Sequence, residues 1–366
     1  MAYCGESWRK LRLSLLFGAN INFVANLNIQ KEVLLAPFTT LGVGGPAKFY
    51  AAATSEKEIE DAVKYAADNS LELFVLGGGS NIVISDQGFD GLVLQVDLRG
   101  VKFSGDQVTV AAGEDWDTFV SQCINGDLAG LECLSGIPGF VGGTPVQNVG
   151  AYGQEVSETI ETVRCFDRNT QEFVDLTNQE CGFSYRTSLF NSTHRERYIV
   201  VSVTYLLNKK GSPKIEYKDL KEYFAGSVPS LGQTRDAVLK IRRAKSMVID
   251  LNDPNSRSAG SFFKNPIISK ETAIQIAERL GIEKMPQFPV DEDRIKIPAA
   301  WLIEQSGFKK GFRLGNAGIS ANHSLAIINL GGASASEIVA LKDVIQIGVK
   351  EKFDISLTPE PIFVGF

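Results

Sequence analysis

Apolar positions recur along this chain with two periods, and the changes between them divide it into blocks. Lys48 to Ala52 has the short apolar character of a strand. Ser55 with Glu58 three residues on makes a capping-box pattern, and Ile59, Ala62, Val63 and Ala66 then recur at helical spacing. Glu72 to Leu76, Ile82 to Ser85 and Leu92 to Val96 read as further strands, closing a small α/β unit near residue 96. Val101 to Ala111 predicts a hairpin and Asp115 to Asn125 a helix. Leu128 to Gln154 is different: glycine-rich, with Glu132 as its one charge, it suits neither helix nor strand, and its backbone must turn often and lie close to something. Beyond it, Val163 to Asp167, Glu172 to Val174 and Tyr198 to Leu207 predict an antiparallel sheet.

A last block begins near Arg242. Glu271 to Leu280 and Pro298 to Gln305 read as helices, and His323 to Asn329 as a strand. Ser334 with Glu337 is a second capping box, opening a helix to about Lys350, and Ile355 to Phe366 is a strand-like tail. These patterns divide the chain into an extension (1–30), two α/β and antiparallel blocks (31–96 and 97–241) and a C-terminal α+β block (242–355). The tail, 356–366, is free to join the first block.

Composition narrows the class. Of 366 residues, 44% are hydrophobic and 22% charged, which predicts packed cores rather than disorder. The net charge of −6 gives no broad basic footprint, so nucleic acid is not an expected partner, and an anionic ligand must be met locally by loops and a few placed cations. Five scattered cysteines, Cys4, Cys123, Cys133, Cys165 and Cys181, form no C-x-x-C pair and suit a reducing compartment. With only His194 and His323, a histidine metal site or a Ser-His-Asp triad is disfavoured, and no metal is expected. The uncharged run Leu13 to Gln30 holds five Asn or Gln residues, which argues against a membrane span. Arg9, Lys10 and Arg12 precede an apolar stretch as in a leader peptide, but no A-x-A site follows, so a poorly ordered extension is the expectation.

Three glycine motifs suggest chemistry. Gly42-Val43-Gly44-Gly45-Pro46-Ala47 fits G-x-G-x-x-A, but a strand rather than a helix follows it, which argues against a Rossmann turn. Gly77-Gly78-Gly79-Ser80-Asn81 follows an apolar strand; it is either a flexible turn or a cradle in which successive N–H groups face one anion. The second loop contains Ser135-Gly136-Ile137-Pro138-Gly139, Gly142-Gly143 and Gln147-Asn148-Val149-Gly150-Ala151-Tyr152-Gly153. It offers the surface that a flat ligand with a diphosphate tail needs, and an ordered loop of this length is usually functional.

The paired loops resemble the FAD-binding domain of the vanillyl-alcohol-oxidase type. Tyr185-Arg186, Gly260-Ser261-Phe262-Phe263-Lys264-Asn265-Pro266, Ala299-Ala300-Trp301-Leu302-Ile303-Glu304-Gln305 and Pro359-Glu360-Pro361 follow in order. With them the chain, from about residue 31 onward, resembles the UDP-N-acetylenolpyruvoylglucosamine reductases of bacterial cell-wall synthesis. That resemblance implies two FAD-binding subdomains (31–96 and 97–241) and a substrate-binding domain (242–355). It implies FAD and NADPH as cofactors, a UDP-sugar substrate, and a cytoplasmic enzyme, expected to be a monomer. It assigns FAD to Gly77, Gly78, Gly79, Ser80, Asn81, Ser135, Gly136, Ile137, Pro138, Gly139, Gly143, Asn148, Gly150, Ala151, Tyr152 and Gly153. Arg186, Ser261 and Glu360 match the catalytic arginine, proton donor and glutamate. Lys245, Asn265 and Gln305 match substrate contacts, and Tyr217 matches the tyrosine that covers substrate in longer members.

A serine hydroxyl is a poor acid in water, so Ser261 in that role needs cations or a relay nearby. His323 is expected to be a packed strand-end residue without a catalytic part. Two other functions remain open: an oxidase of alcohols or sugars on the same fold, whose flavin is often covalently tethered, and a non-catalytic UDP-sugar-binding protein.

Overall fold

The computed structural model describes residues 21–24, 27–283 and 285–366. The chain forms two compact units. The first takes the described residues up to Leu34, then Pro46–Gly79 and Phe89–Val248; the second takes Leu35–Gly45, Ser80–Gly88 and Ile249–Phe366.

The first unit holds two five-stranded sheets. One runs in the order Ile21–Val24, Leu27–Leu34, Pro46–Ala53, Phe89–Val96, Glu72–Leu76. Its last three strands are parallel, and seven of the eight residues in Phe89–Val96 are buried, as a strand covered on both faces requires. The Glu56–Asp68 helix lays Ile59, Ala62 and Ala66 into the same core. Ser55 caps it by accepting from Glu58 N; the Glu58 carboxylate, however, takes the Thr54 N–H and hydroxyl, so only half of the expected box forms. The second sheet is antiparallel, in the order Glu172–Thr177, Ile160–Asp167, Tyr198–Leu206, Gln107–Ala111, Val101–Ser104. Trp116 and Phe119 of the Trp116–Asn125 helix close its core against Tyr205. Two helices that the apolar pattern did not mark, Lys218–Phe224 and Leu231–Ala244, complete the unit.

The second unit is built on the apolar cluster of Phe262, Phe263, Ile303, Ile338, Leu341, Ile345 and Phe353. Its helices are Lys270–Leu280, Ala299–Gln305 and Ala335–Phe353. The last opens with the full Ser334/Glu337 capping box, and Asp86 adds bonds to Ala335 N, Ser336 N and the Ser336 hydroxyl. Ile82–Ile84 does not join the first unit's sheet. It pairs in parallel with Ile362–Val364, more than 270 positions later, which an apolar triplet cannot reveal. Within the tail only Ile362–Val364 is a strand, and the strand expected from His323 begins at Ile327.

The expected boundary at 241–242 falls inside the Leu231–Ala244 helix; block 97–241 lies in the first unit, and block 31–96 is split, with Leu35–Gly45 and Ser80–Gly88 in the second. Residues 21–24 and 27–30, within the expected extension, pair as strands. The leader-like positions before residue 21 lie outside the described residues. Among the described residues no helix is long and apolar enough to cross a membrane.

Candidate active site

In the first unit the two glycine loops touch. A Cβ built on Gly78 would stand 2.6 Å from Gly139 Cα and 2.8 Å from Phe140 N, so only glycine permits this approach. Gly139 is held in turn by its carbonyl, which accepts from Trp116 N at 3.0 Å, and Gln95 Nε2 donates to the Gly77 carbonyl at 3.4 Å. At Gly77 and Gly143, by contrast, nothing lies within 4 Å of a built Cβ. Backbone without side chains therefore faces open space on both loops.

Glu132, the loop's one charge, is buried and braces it. Its carboxylate accepts from Gly130 N, Lys214 N and Gln154 Nε2, while Gln154 Oε1 accepts from Cys133 N. Ser135 is buried, donating to the Glu132 carbonyl, and Ile137 and Pro138 are half-buried beside it. Asn148, in the left-handed region at φ 44°, donates to Glu155 and to the Ser184 carbonyl and accepts from Ser157 N. Its amide is thus used in shaping the loop, leaving backbone rather than side chain to meet a ligand there.

Arg186 is tied to the same loop. Its Nη2 donates to the Gly150 carbonyl at 2.9 Å, and its guanidinium lies over the Tyr185 ring, 5.4 Å from the centroid. Its backbone is left-handed, φ 54°, as is that of Tyr152 at 50°. Such conformations are uncommon outside glycine and concentrate at functional segments. Ala151 lies between Gly150 and Tyr152, in a two-residue strand pair with Gln154 and Glu155 that turns through Gly153, φ 83°. The Tyr152 ring meets Tyr217 edge to face at 5.4 Å, and Tyr217 is 45% exposed.

Beneath this pair runs the Leu231–Ala244 helix, with Lys245 as its C-cap. Lys245 Nζ donates to Asp219 at 2.7 Å; burial pulls its pKa down, and Asp219 together with Tyr152 and Tyr217 holds it above the ordinary value. Arg242 is 7% exposed. Burial pushes its pKa down, against the pull of Tyr152 and Asp117. Its Nη2 donates to the Met247 carbonyl at 2.7 Å, but its Nε is buried without a partner. A Cβ built on Gly136, a left-handed glycine (φ 73°), would come 3.4 Å from that Nε. Sequence reasoning left Arg242 out of the site. The signal was an arginine on the buried stripe Leu231, Thr234, Val238, legible only once the helix is recognised.

These features test the fit of a flavin. A flat cofactor with a diphosphate needs close-lying backbone, open space beside it and a cation not already satisfied. Gly77, Gly143, the Gly78–Gly139 approach and the orphaned Arg242 Nε meet those needs. A thiol tether has no support. Cys133, next to the loop, is fully buried, and burial pushes its pKa far up.

The second unit carries Ser80, Asn81, Ser261, Asn265, Gln305 and Glu360. The chain end folds back along the serine's segment. Glu360 N donates to the Phe262 carbonyl at 2.9 Å, Phe263 bridges Pro359, and Lys264 N donates to the Thr358 carbonyl at 2.9 Å. Asn81 Nδ2 donates to the Glu360 carbonyl at 3.2 Å, and Ser80 beside it is half-buried. Ser261 and Glu360, 99 positions apart, are thereby brought onto adjacent segments. Asn265 Oδ1 accepts from Ala299 N at 2.9 Å and so caps the helix that ends at Gln305, which is exposed. His323 is not a strand end. It sits in a turn, and its Nε2 lies 3.4 Å from Ser261 Oγ.

The family described as FAD binding domain matches residues 47–176, and the one described as UDP-N-acetylenolpyruvoylglucosamine reductase, C-terminal domain, matches residues 253–364. The reductase of that name from Thermobifida fusca is 44% identical over 352 residues, 92% of this chain and 98% of that protein. The Streptomyces coelicolor reductase is 44% identical over 90% of this chain and 89% of its own length. The crystal structure of the Thermus caldophilus reductase aligns over 92% of this chain and 99% of its own, at 27% identity and a TM-score of 0.66.

Proposed function

The chain belongs to the UDP-N-acetylenolpyruvoylglucosamine reductase family, and from that premise we propose how its own residues divide the work. The enzyme is an FAD-dependent oxidoreductase that uses NADPH to reduce the enolpyruvyl ether of a UDP-sugar to the lactyl ether, UDP-N-acetylmuramate, in peptidoglycan precursor synthesis. Held by the glycine loops, FAD would supply the redox chemistry that carries a hydride from NADPH to the terminal carbon of the enolpyruvyl group.

Negative charge then grows on the adjacent carbon and on its carboxylate, and three side chains answer it. Arg186 takes the carboxylate; a guanidinium spans both oxygens and strengthens its hold as charge accumulates. Glu360, hydrogen-bonded or protonated, polarises the same acid. Ser261 delivers its hydroxyl proton to the carbon. The glycine loops and Arg242 bind the flavin through backbone N–H groups and one buried cation. Lys245 and Asn265 contact substrate near its phosphates and enolpyruvyl end, Gln305 adds a further contact, and Tyr217 covers the substrate.

The observation that supports this reading most directly is the pairing of the C-terminal segment with Phe262–Lys264, because it gives the serine and the glutamate a shared backbone frame. The test is NADPH oxidation that depends on the enolpyruvyl UDP-sugar. A flavin that stays with the polypeptide after acid denaturation, or catalytic turnover of an alcohol without NADPH, would select the oxidase instead. We also take the enzyme to be a cytoplasmic monomer that binds neither membrane nor nucleic acid. Light scattering of the purified protein at a mass above 39.8 kDa would correct the first of these.

A further inference from the structure

We propose that His323 is a positioning residue that returns a proton to Ser261 after the serine has protonated the substrate carbon. This rests on the reading of Ser261 as the proton donor. Once the hydroxyl proton has gone to carbon, the serine oxygen is left as an alkoxide. An unpaired oxyanion in a half-buried position is costly, so proton loss from Ser261 must be coupled to a proton gain. Ser261 Oγ lies 3.4 Å from His323 Nε2, and an imidazole exchanges protons near neutral pH, which no hydroxyl does.

The contact is framed by bonds on both sides. Phe262 N, next to Ser261, donates to the carbonyl of Leu325 at 2.8 Å, fixing the serine's segment to the histidine's turn. Ser324 donates to Glu304 on the Ala299–Gln305 helix, and Ala326 N closes the turn on the His323 carbonyl at 3.1 Å. The neighbours on the other side, Ala321 and Asn322, are exposed, so the ring stands at the border of solvent, from which it can be recharged. The step balances. The Ser261 O–H bond breaks as the substrate C–H bond forms, the His323 Nε2–H bond breaks as the Ser261 O–H bond re-forms, and water restores the imidazole proton.

The test uses the FAD-loaded enzyme and stopped-flow absorbance of the two half-reactions. His323→Gln keeps an amide within reach of Ser261 but has no acidic proton to give. Its reduction by NADPH should run at the wild-type rate, reporting an intact flavin site, while its reoxidation by the enolpyruvyl UDP-sugar slows about a hundredfold, within the usual range for a lost general acid. His323→Ala should show the same split, and added imidazole should recover part of the reoxidation rate. Wild-type reoxidation in His323→Gln, equal slowing of both half-reactions, or no rescue of His323→Ala would each overturn the relay. Ser261→Ala run alongside separates the two ideas. If it is slow while His323→Gln is fast, only the relay falls; if Ser261→Ala itself reoxidises normally, the donor assignment beneath it falls.

Discussion

Neighbouring glycines in the first loop make opposite predictions, and together they locate the cofactor. A methyl group added at Gly78 meets Gly139 Cα at 2.6 Å, Gly139 C at 2.8 Å and Phe140 N at 2.8 Å, all backbone atoms. No side chain can swing away, so the loops must part. Overpacking of this kind costs typically about 1–3 kcal/mol. For a unit of this size that lowers the melting temperature of the apoprotein by roughly 2–12 °C. Gly77→Ala meets nothing within 4 Å, and Gly77 is not one of the left-handed glycines, so the apoprotein should keep its stability or gain a few tenths of a kcal/mol from a stiffer unfolded chain. Its methyl nevertheless stands in the space assigned to the flavin. FAD affinity, followed by quenching of flavin fluorescence on titration into apoprotein, should therefore fall at least about tenfold, equivalent to about 1.4 kcal/mol. The expected pattern is loss of stability and affinity for Gly78→Ala, and loss of affinity alone for Gly77→Ala. Wild-type FAD binding by Gly77→Ala would refute the placement of the cofactor beside that loop.

Arg242→Met removes a buried cation with an unpartnered Nε; the apoprotein should change little in stability, while FAD affinity falls roughly tenfold to a hundredfold, the worth of a hydrogen bond to a charged group, and unchanged affinity would count against its role. Ser261→Ala should leave flavin reduction by NADPH intact and slow reoxidation by the enolpyruvyl substrate about 10²–10⁴-fold; stopped-flow traces slowed equally in both halves would remove the serine from the donor's place. The Arg197 hydrogen bond holds the Asp167 carboxyl below the usual carboxylate range, so that pair stabilises the fold above about pH 4 and ceases to as pH falls through the depressed value. The melting-temperature gap between wild type and Asp167→Asn should accordingly narrow from pH 7 towards pH 3, and a constant gap would contradict it.

Features that act locally were legible in the sequence. Serines three residues before a glutamate cap the Glu56–Asp68 and Ala335–Phe353 helices, and the antiparallel strands follow their apolar runs. The glycine loops stand out because glycine marks where a backbone must come close to something, although not that Gly78 and Gly139 come close to each other. What stayed hidden depends on partners far along the chain. Ile82–Ile84 is an apolar triplet wherever it pairs, and its partner is Ile362–Val364. The Leu231–Ala244 helix is hard to read from sequence because Thr234 and Arg242 stand among the apolar positions of its buried face. His323 was set aside for a similar reason: a lone histidine before an apolar run reads as packing until the turn brings it to Ser261.

The proposed role of Arg242 bears on how a protein of net charge −6 can bind an anionic cofactor and an anionic substrate. Overall charge opposes both, so attraction must come from cations that the protein has not neutralised itself. The C-terminal end of the Leu231–Ala244 helix carries three cations, Arg242, the exposed Arg243 and the C-cap Lys245, and treats the first and last differently. Its dipole favours positive charge there. Lys245 is paired with Asp219, which fixes its position but spends part of its field. Arg242 forms no ion pair among the described residues, and its buried Nε is unpartnered beside the loop at Gly136. A guanidinium held out of water without a carboxylate destabilises the apoprotein, and an arriving anion recovers that cost on binding. Arg242→Met should therefore leave the stability of the apoprotein little changed while FAD affinity falls, a combination that a merely structural arginine would not produce.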